Sequence, residues 1–240
     1  MSRALIVYGT RYGATAGTAA EIAVVLHQEG LEVRAVDAKQ EKAPDLEGYD
    51  LVIVGSGMRI EKWTRAADAF LERYREELAR RRVALFVSSG AMAMVEHEGR
   101  KDEAARMRRK YLEDKTAGNG LRPVTLGMFG GIWDFNRLPL WTKLLPAGKD
   151  LMAETRAKLE AAGYRETEPG VYDTRDWGAI RSWARSLVEG TKTTRSSIQV
   201  LGSLRSDGGN RDRPKKDLLA NGHGRDWPRR WHSWASSERF

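Results

Sequence analysis

The chain has 240 residues, with 41 Lys and Arg against 33 Asp and Glu for a formal charge of +8, four histidines and no cysteine. The absence of cysteine excludes disulfides, thiolate metal sites and a Cys nucleophile, and it fits a cytoplasmic setting. His27, His97, His223 and His232 are scattered without metal-ligand spacing, so no metal is expected, and no apolar run reaches the ~20 residues that a membrane span requires.

The positive charge is unevenly placed. Residues 191–240 hold 11 basic and 5 acidic side chains, which leaves 30 basic and 28 acidic in residues 1–190. The first 190 residues are therefore close to neutral, and nucleic acid is not expected as a partner. Residues 191–240 are rich in Ser, Gly, Asn, Arg and Asp, with little apolar period beyond Ile198-Gln199-Val200-Leu201. Such a segment buries too little apolar surface to offset its ordering entropy and reads as a disordered tail. Trp227-Pro228-Arg229-Arg230-Trp231-His232-Ser233-Trp234 interleaves Trp with Arg, as lipid headgroup or base-stacking segments do, but reads more simply as part of that tail.

In chain order, strands are expected at 3–8, 32–37, 50–55, 82–87 and 123–129, and helices at 15–29, 65–80, 101–113, 147–162 and 174–188. The first strand begins within a few residues of Met1 and leaves no room for a signal peptide. Ala19, Ile22, Ala23 and Leu26 share one face of the first helix, with Gly30 as its stop. The helix at 65–80 carries Ala67, Phe70, Leu71, Tyr74 and Leu78 on one side. Asp173 or Thr174 could cap the last helix. Short apolar strands alternating with helices indicate a doubly wound α/β sheet covered on both faces.

In such a sheet the ligand sits beyond the carboxyl ends of the strands, so the loops after strands one, three and four should converge. The first, Gly9-Thr10-Arg11-Tyr12-Gly13-Ala14-Thr15, joins a strand to a helix and reads as a phosphate cradle of amides and hydroxyls. It lacks the lysine of a nucleotide P-loop and the G-x-G-x-x-G spacing of a dinucleotide fingerprint. The second, Gly55-Ser56-Gly57-Met58-Arg59-Ile60-Glu61-Lys62-Trp63, and the third, Ser88-Ser89-Gly90-Ala91-Met92-Ala93-Met94, start with small residues that admit a flat ring. Beside them lie a charged stretch, 96–115, with Arg106-Met107-Arg108-Arg109-Lys110, and an apolar one, 129–146, with Trp133, Phe135, Leu138, Leu140, Trp141, Leu144 and Leu145. The charges read as a solvated helix face, and the apolar segment either covers a sheet edge or meets a ligand.

The loop Gly9–Thr15, the stretch Tyr49-Asp50-Leu51-Val52-Ile53-Val54-Gly55-Ser56-Gly57-Met58-Arg59 and the ending Tyr172-Asp173-Thr174-Arg175-Asp176-Trp177 resemble flavodoxin-domain proteins. Among these, the likeness is nearest to the menaquinone-dependent protoporphyrinogen oxidase-like flavoproteins, and it covers about residues 3–188. The resemblance implies a flavodoxin-like doubly wound five-stranded parallel sheet with helices on both faces. Residues 1–190 would form an FMN-binding domain and 191–240 the tail.

By the same resemblance, Thr10, Arg11, Tyr12, Gly13, Ala14 and Thr15 would hold the FMN phosphate. Ser56, Gly57, Met58 and Arg59 would line one edge of the ring and Ser88, Ser89 and Gly90 the other, with Trp63 over a face and Arg11 and Arg59 near the N1–C2 edge. The loop after strand four lacks the tyrosine that stacks on the ring in many flavodoxins. The implied activity is an FMN-dependent oxidoreductase that passes electrons from a small-molecule or porphyrin substrate to a quinone or another acceptor. Contact with the inner face of the membrane would accompany it. The alternative is a flavodoxin-like electron-transfer or regulatory protein without a small-molecule substrate. No catalytic acid or base stands out, and a homo-oligomer stays open.

Overall fold

The computed structural model describes residues 1–138 and 144–188 of the chain. The tail at 191–240, together with Leu140 and Trp141 of the apolar stretch, lies outside the described residues. Five strands form the central sheet: β1 (Arg3–Gly9), β2 (Glu32–Asp37), β3 (Leu51–Arg59), β5 (Arg82–Ser88) and β6 (Thr125–Phe129). They are parallel throughout and run in the order β2-β1-β3-β5-β6, with the two-residue β4 (Lys62–Trp63) folded back antiparallel on the end of β3. This is the doubly wound five-stranded parallel sheet that the resemblance implies.

The pleat sends alternate residues of each strand into different cores. Leu5, Val7, Val52, Val54, Val83, Leu85 and Val87 pack on one face, against α2 (Arg65–Arg73), α3 (Arg75–Leu78) and α5 (Lys101–Arg108). Ala4, Ile6, Leu51, Ile53, Ala84 and Phe86 pack on the other, against α1 (Ala14–Gln28) and α8 (177–188). The central strands are buried on both faces, so their sequences are continuous apolar runs without alternation. Gly55 is obligatory within β3, because a side chain there would strike the Phe86 ring. α1 stops at Gly30, which has φ +89°. The Gly30 N–H donates to the His27 carbonyl (2.9 Å) and the Leu31 N–H to the Leu26 carbonyl (3.1 Å), a Schellman closure.

The structure corrects several element boundaries. β3 continues past 55 to Arg59, because β4 extends its pairing as a hairpin with Met58 opposite Trp63. The helix expected at 65–80 is interrupted at Tyr74, whose φ −102° and ψ 14° open the turn while the apolar period runs on. Ser88-Ser89-Gly90-Ala91-Met92-Ala93-Met94, read as a loop, is helical from Gly90 on: α4 (Gly90–His97) has Ala and Met as good helix formers and buries Met92, Ala93 and Val95. The helix expected at 101–113 passes through a π-helical turn at Arg109–Glu113 into α6 (Asp114–Gly118). There the indole N–H of Trp63 donates to the Tyr111 carbonyl (2.8 Å), drawing it from the regular ladder. The last helix is capped by Asp176, whose carboxylate accepts from the Ala179 N–H (2.9 Å), so neither Asp173 nor Thr174 is the cap.

A second, antiparallel sheet was not expected at all. β7 (Ile132–Asp134), β8 (Glu166–Glu168) and β9 (Val171–Asp173) pair in the order β7-β9-β8. Strands of three residues carry too little periodicity to be read. With α7 (Pro146–Ala161), this sheet encloses a satellite core of Phe135, Leu159 and Tyr172, on which Met94, Trp133 and Leu138 also pack.

Candidate functional site

The chain leaves β1 toward β2 on one side of the sheet and leaves β3 toward β5 on the other, so the two exits diverge at their carboxyl ends. A cleft of about 1860 Å³ opens there. All three expected loops reach it. Of the residues singled out, Thr10, Arg11, Tyr12, Ala14, Thr15, Gly57, Met58, Arg59, Trp63, Ser88, Ser89 and Gly90 line it, whereas Gly13 and Ser56 stand behind the wall.

Each residue behind the wall shapes it. Gly13 is the N-cap of α1 at φ +87°, a left-handed conformation that glycine adopts without steric cost. Its N–H donates to the Thr10 hydroxyl (3.1 Å), which folds the loop back on itself. Ser56 is fully buried; its hydroxyl accepts from the Thr64 N–H (2.9 Å) and lies 3.2 Å from the Thr64 hydroxyl. That contact ties the end of β3 to the start of α2.

Two helices begin at the cleft without side-chain caps. α1 starts after Gly13 and α4 after Ser89, neither has an acidic residue in its first turn, and neither has a side-chain cap among the described residues. Free amides at the positive end of a helix dipole favour an anion. The wall beside α1 holds Thr15, 1% exposed, against Gly57, where an added Cβ would lie 2.9 Å from the Thr15 hydroxyl oxygen. The hydroxyl of Ser88 and the indole N–H of Trp133 are buried on the opposite wall without a partner among the described residues. Buried polar groups rarely stay unpaired, and these two suit a ligand's acceptor and donor atoms.

Trp133 is the residue that sequence reasoning placed nearby without a role. It rises from β7 against Gly90, where a Cβ would sit 2.6 Å from its indole nitrogen. It stacks on Phe135 at 6.2 Å and 21°, and Phe135 meets Tyr172 edge-on at 6.0 Å. An aromatic wall thus comes from β7 of the small sheet, where the loop after the fourth parallel strand supplies none. Phe135 is 4% exposed, whereas Leu144 and Leu145 are exposed, so only part of the apolar stretch covers the protein. Trp63 is 8% exposed and held by its bond to the Tyr111 carbonyl, with its rim on the cleft.

The lining carries eleven Lys and Arg against four Asp and Glu. The near-neutral charge of residues 1–190 is therefore unevenly spread. Arg106, Met107 and Lys110 of the charged stretch face the cleft, while Arg108 turns away to bond the Leu126 carbonyl and pair with Glu113 at 3.5 Å. Lys110 pairs with Glu61, Arg100 with Glu103 (2.5 Å) and Arg137 with Asp134 (3.0 Å). Arg11, Arg59, Lys62, Arg65 and Arg106 have no ion pair among the described residues. The Arg11 and Arg137 guanidiniums lie over the Tyr12 ring, at 6.0 and 5.9 Å from its centre. Burial, followed by Glu61 and Glu103, pushes the Tyr111 phenol up from its ordinary value. Among the described residues no group of three or more His, Asp or Glu could hold a metal ion, and no helix is long and apolar enough to cross a membrane.

Solved structures with a similar arrangement include oxidised flavodoxin 1 of Bacillus cereus, 19% identical over 54% of this chain and 85% of that one, with a TM-score of 0.40. Two-electron reduced Megasphaera elsdenii flavodoxin is 20% identical over 52% and 84%, with a TM-score of 0.39. A Fusobacterium nucleatum flavodoxin mutant bound to flavin mononucleotide is 19% identical over 52% and 68%, at 0.38. The assignment rests on the chain's own topology and on the sequence of residues 5–148, which matches the flavodoxin domain. The match spans more than half of the chain, and the protein belongs to the flavodoxin domain family.

Proposed function

We propose that the cleft holds FMN and that the protein transfers electrons through it. The observation that carries this reading is the meeting of three strand-end loops at the switch point, with an uncapped helix start and buried hydroxyls in the wall. The cradle suits a phosphate dianion: the first-turn amides of α1 and the hydroxyls of Thr10 and Thr15 can donate, and Arg11 adds charge. Gly57, Met58 and Arg59 would take one edge of the flavin ring, Ser88, Ser89 and Gly90 the other, and Trp133 would supply an aromatic wall. When bound, FMN supplies reversible one- and two-electron chemistry. Arg11 and Arg59 would stabilise negative charge at the ring edge, and the apolar walls limit access of water.

Within that reading we favour an oxidoreductase of the protoporphyrinogen-oxidase-like type over a carrier. The support is the size and lining of the cleft. Single-ligand pockets run to roughly 300–1,000 Å³, and this cleft is larger. From Met94 it continues past the three loops to Met107 and Leu138, with the exposed Arg100, Arg106 and Arg137 also in its lining. Apolar surface beside exposed arginines suits a flat substrate bearing carboxylates, such as a porphyrinogen, with a quinone as acceptor. Anaerobic photoreduction of the FMN-loaded full chain, followed by turnover of protoporphyrinogen with menadione, tests it. Steady turnover supports an enzyme; a flavin that reduces but never turns over substrate identifies a carrier.

A further inference from the structure

The ending Tyr172–Trp177 contains a device that the flavin loops alone do not explain. The Asp173 carboxylate grips Arg175 at three points: its Oδ1 accepts from the Arg175 backbone N–H (3.0 Å) and from Nε (2.8 Å), and its Oδ2 from Nη2 (2.6 Å). So held, Arg175 lies over the Trp177 ring at 4.3 Å and donates from Nη1 to the Ala14 carbonyl (3.2 Å), at the first residue of α1. Its side chain is 10% exposed. Gly17, on the next turn of α1, leaves the space that the guanidinium fills; a Cβ there would collide with Nη1.

Thr174 reaches the other way. Its hydroxyl accepts from the Gly131 N–H (3.0 Å) and donates to the Gly131 carbonyl (2.9 Å), which also accepts from the Thr174 N–H (2.9 Å). Gly131 in turn abuts Gly90, with only 2.8 Å between the Gly90 nitrogen and the place a Cβ would take. Three consecutive residues therefore touch both sides of the cleft: Arg175 the phosphate cradle, and Thr174 the lip that carries Ser89, Gly90 and Trp133.

We propose that Asp173-Thr174-Arg175 is a strap that fixes the cradle relative to the ring-binding lip, with Arg175 the positioning residue for the phosphate. The inference rests on the reading of Thr10–Thr15 as the FMN phosphate site. Asp173 neutralises most of the Arg175 charge, so the arginine acts by holding the Ala14 carbonyl and the start of α1, and little through its field. Lysine cannot reproduce this fork, because it offers one point charge where the guanidinium makes two bonds to Asp173 and one to Ala14.

The test compares Arg175→Lys with the unchanged full chain, titrating FMN and riboflavin by fluorescence and following hydrogen exchange at the amides of residues 13–17. FMN should bind about tenfold more weakly, as loss of one charge-assisted bond implies, with riboflavin within about twofold. Exchange at the cradle should quicken by on the order of tenfold without ligand. Gly17→Ala, which raises helix propensity but occupies the arginine's place, should reproduce the selective loss and covers the case in which Arg175→Lys does not fold. Equal weakening of both flavins, or unchanged FMN binding, would overturn the strap. If the unchanged protein binds neither flavin, the FMN reading fails; cradle exchange still judges the strap, and unchanged rates overturn it.

Discussion

At Gly57, one methyl group separates a cradle from a blocked wall. Its added carbon would lie 2.9 Å from the Thr15 hydroxyl, so that hydroxyl would have to turn out of the wall. Gly57→Ala should therefore lower FMN affinity by about tenfold while leaving the melting temperature nearly unchanged, because the clash falls on one rotatable hydroxyl. Isothermal titration beside a thermal melt reads both; unchanged affinity would show that Thr15 is not used. The glycines and hydroxyls of this wall were legible in the sequence because small polar residues at strand ends have few structural uses. Trp133 as the aromatic wall was not, since its position depends on a long-range strand pairing that forms only when β9 returns beside β7.

At the scale of elements, the hairpin between β3 and β4 turns through Ile60 at φ 46° and Glu61 at φ 57°. Both are left-handed, a conformation that costs ordinary residues roughly 1–2 kcal/mol each. Ile60 is 81% exposed and packs on little. Replacing the pair by Asn-Gly, which prefers this turn, should raise stability by about 1–2 kcal/mol in denaturant unfolding. A loss of stability would mean that the Glu61–Lys110 pair matters more than the backbone. The small sheet gives a second test. Burial first, then the bond to Glu160, push the Tyr172 hydroxyl up to about 12. A raised folded value keeps its stabilisation complete below the unfolded value near 10 and removes it as pH climbs toward 12. Stability should fall across that window, and Tyr172→Phe should flatten the fall. An unchanged slope would show that Tyr172 does not ionise with unfolding.

Across the whole molecule, the parallel order was legible because each buried strand is a short apolar run and each helix keeps one face. Charge was the least legible property. Arg11, Arg59 and Arg106 stand far apart in sequence, so only folding gathers them on one cleft. The helical break at Tyr74 and the π turn at Arg109–Glu113 escaped for a related reason: the apolar period continues through both. The interruption at Arg109–Glu113 is set by a tertiary partner, the Trp63 indole, which no local window contains. The most direct measurement is titration of the full chain with FMN, followed by visible absorption and quenching of flavin fluorescence. Saturable binding at one FMN per chain, weakened by Gly57→Ala, is the expected result. A protein that leaves FMN fluorescence unquenched and gains no flavin bands would contradict an FMN site in this cleft.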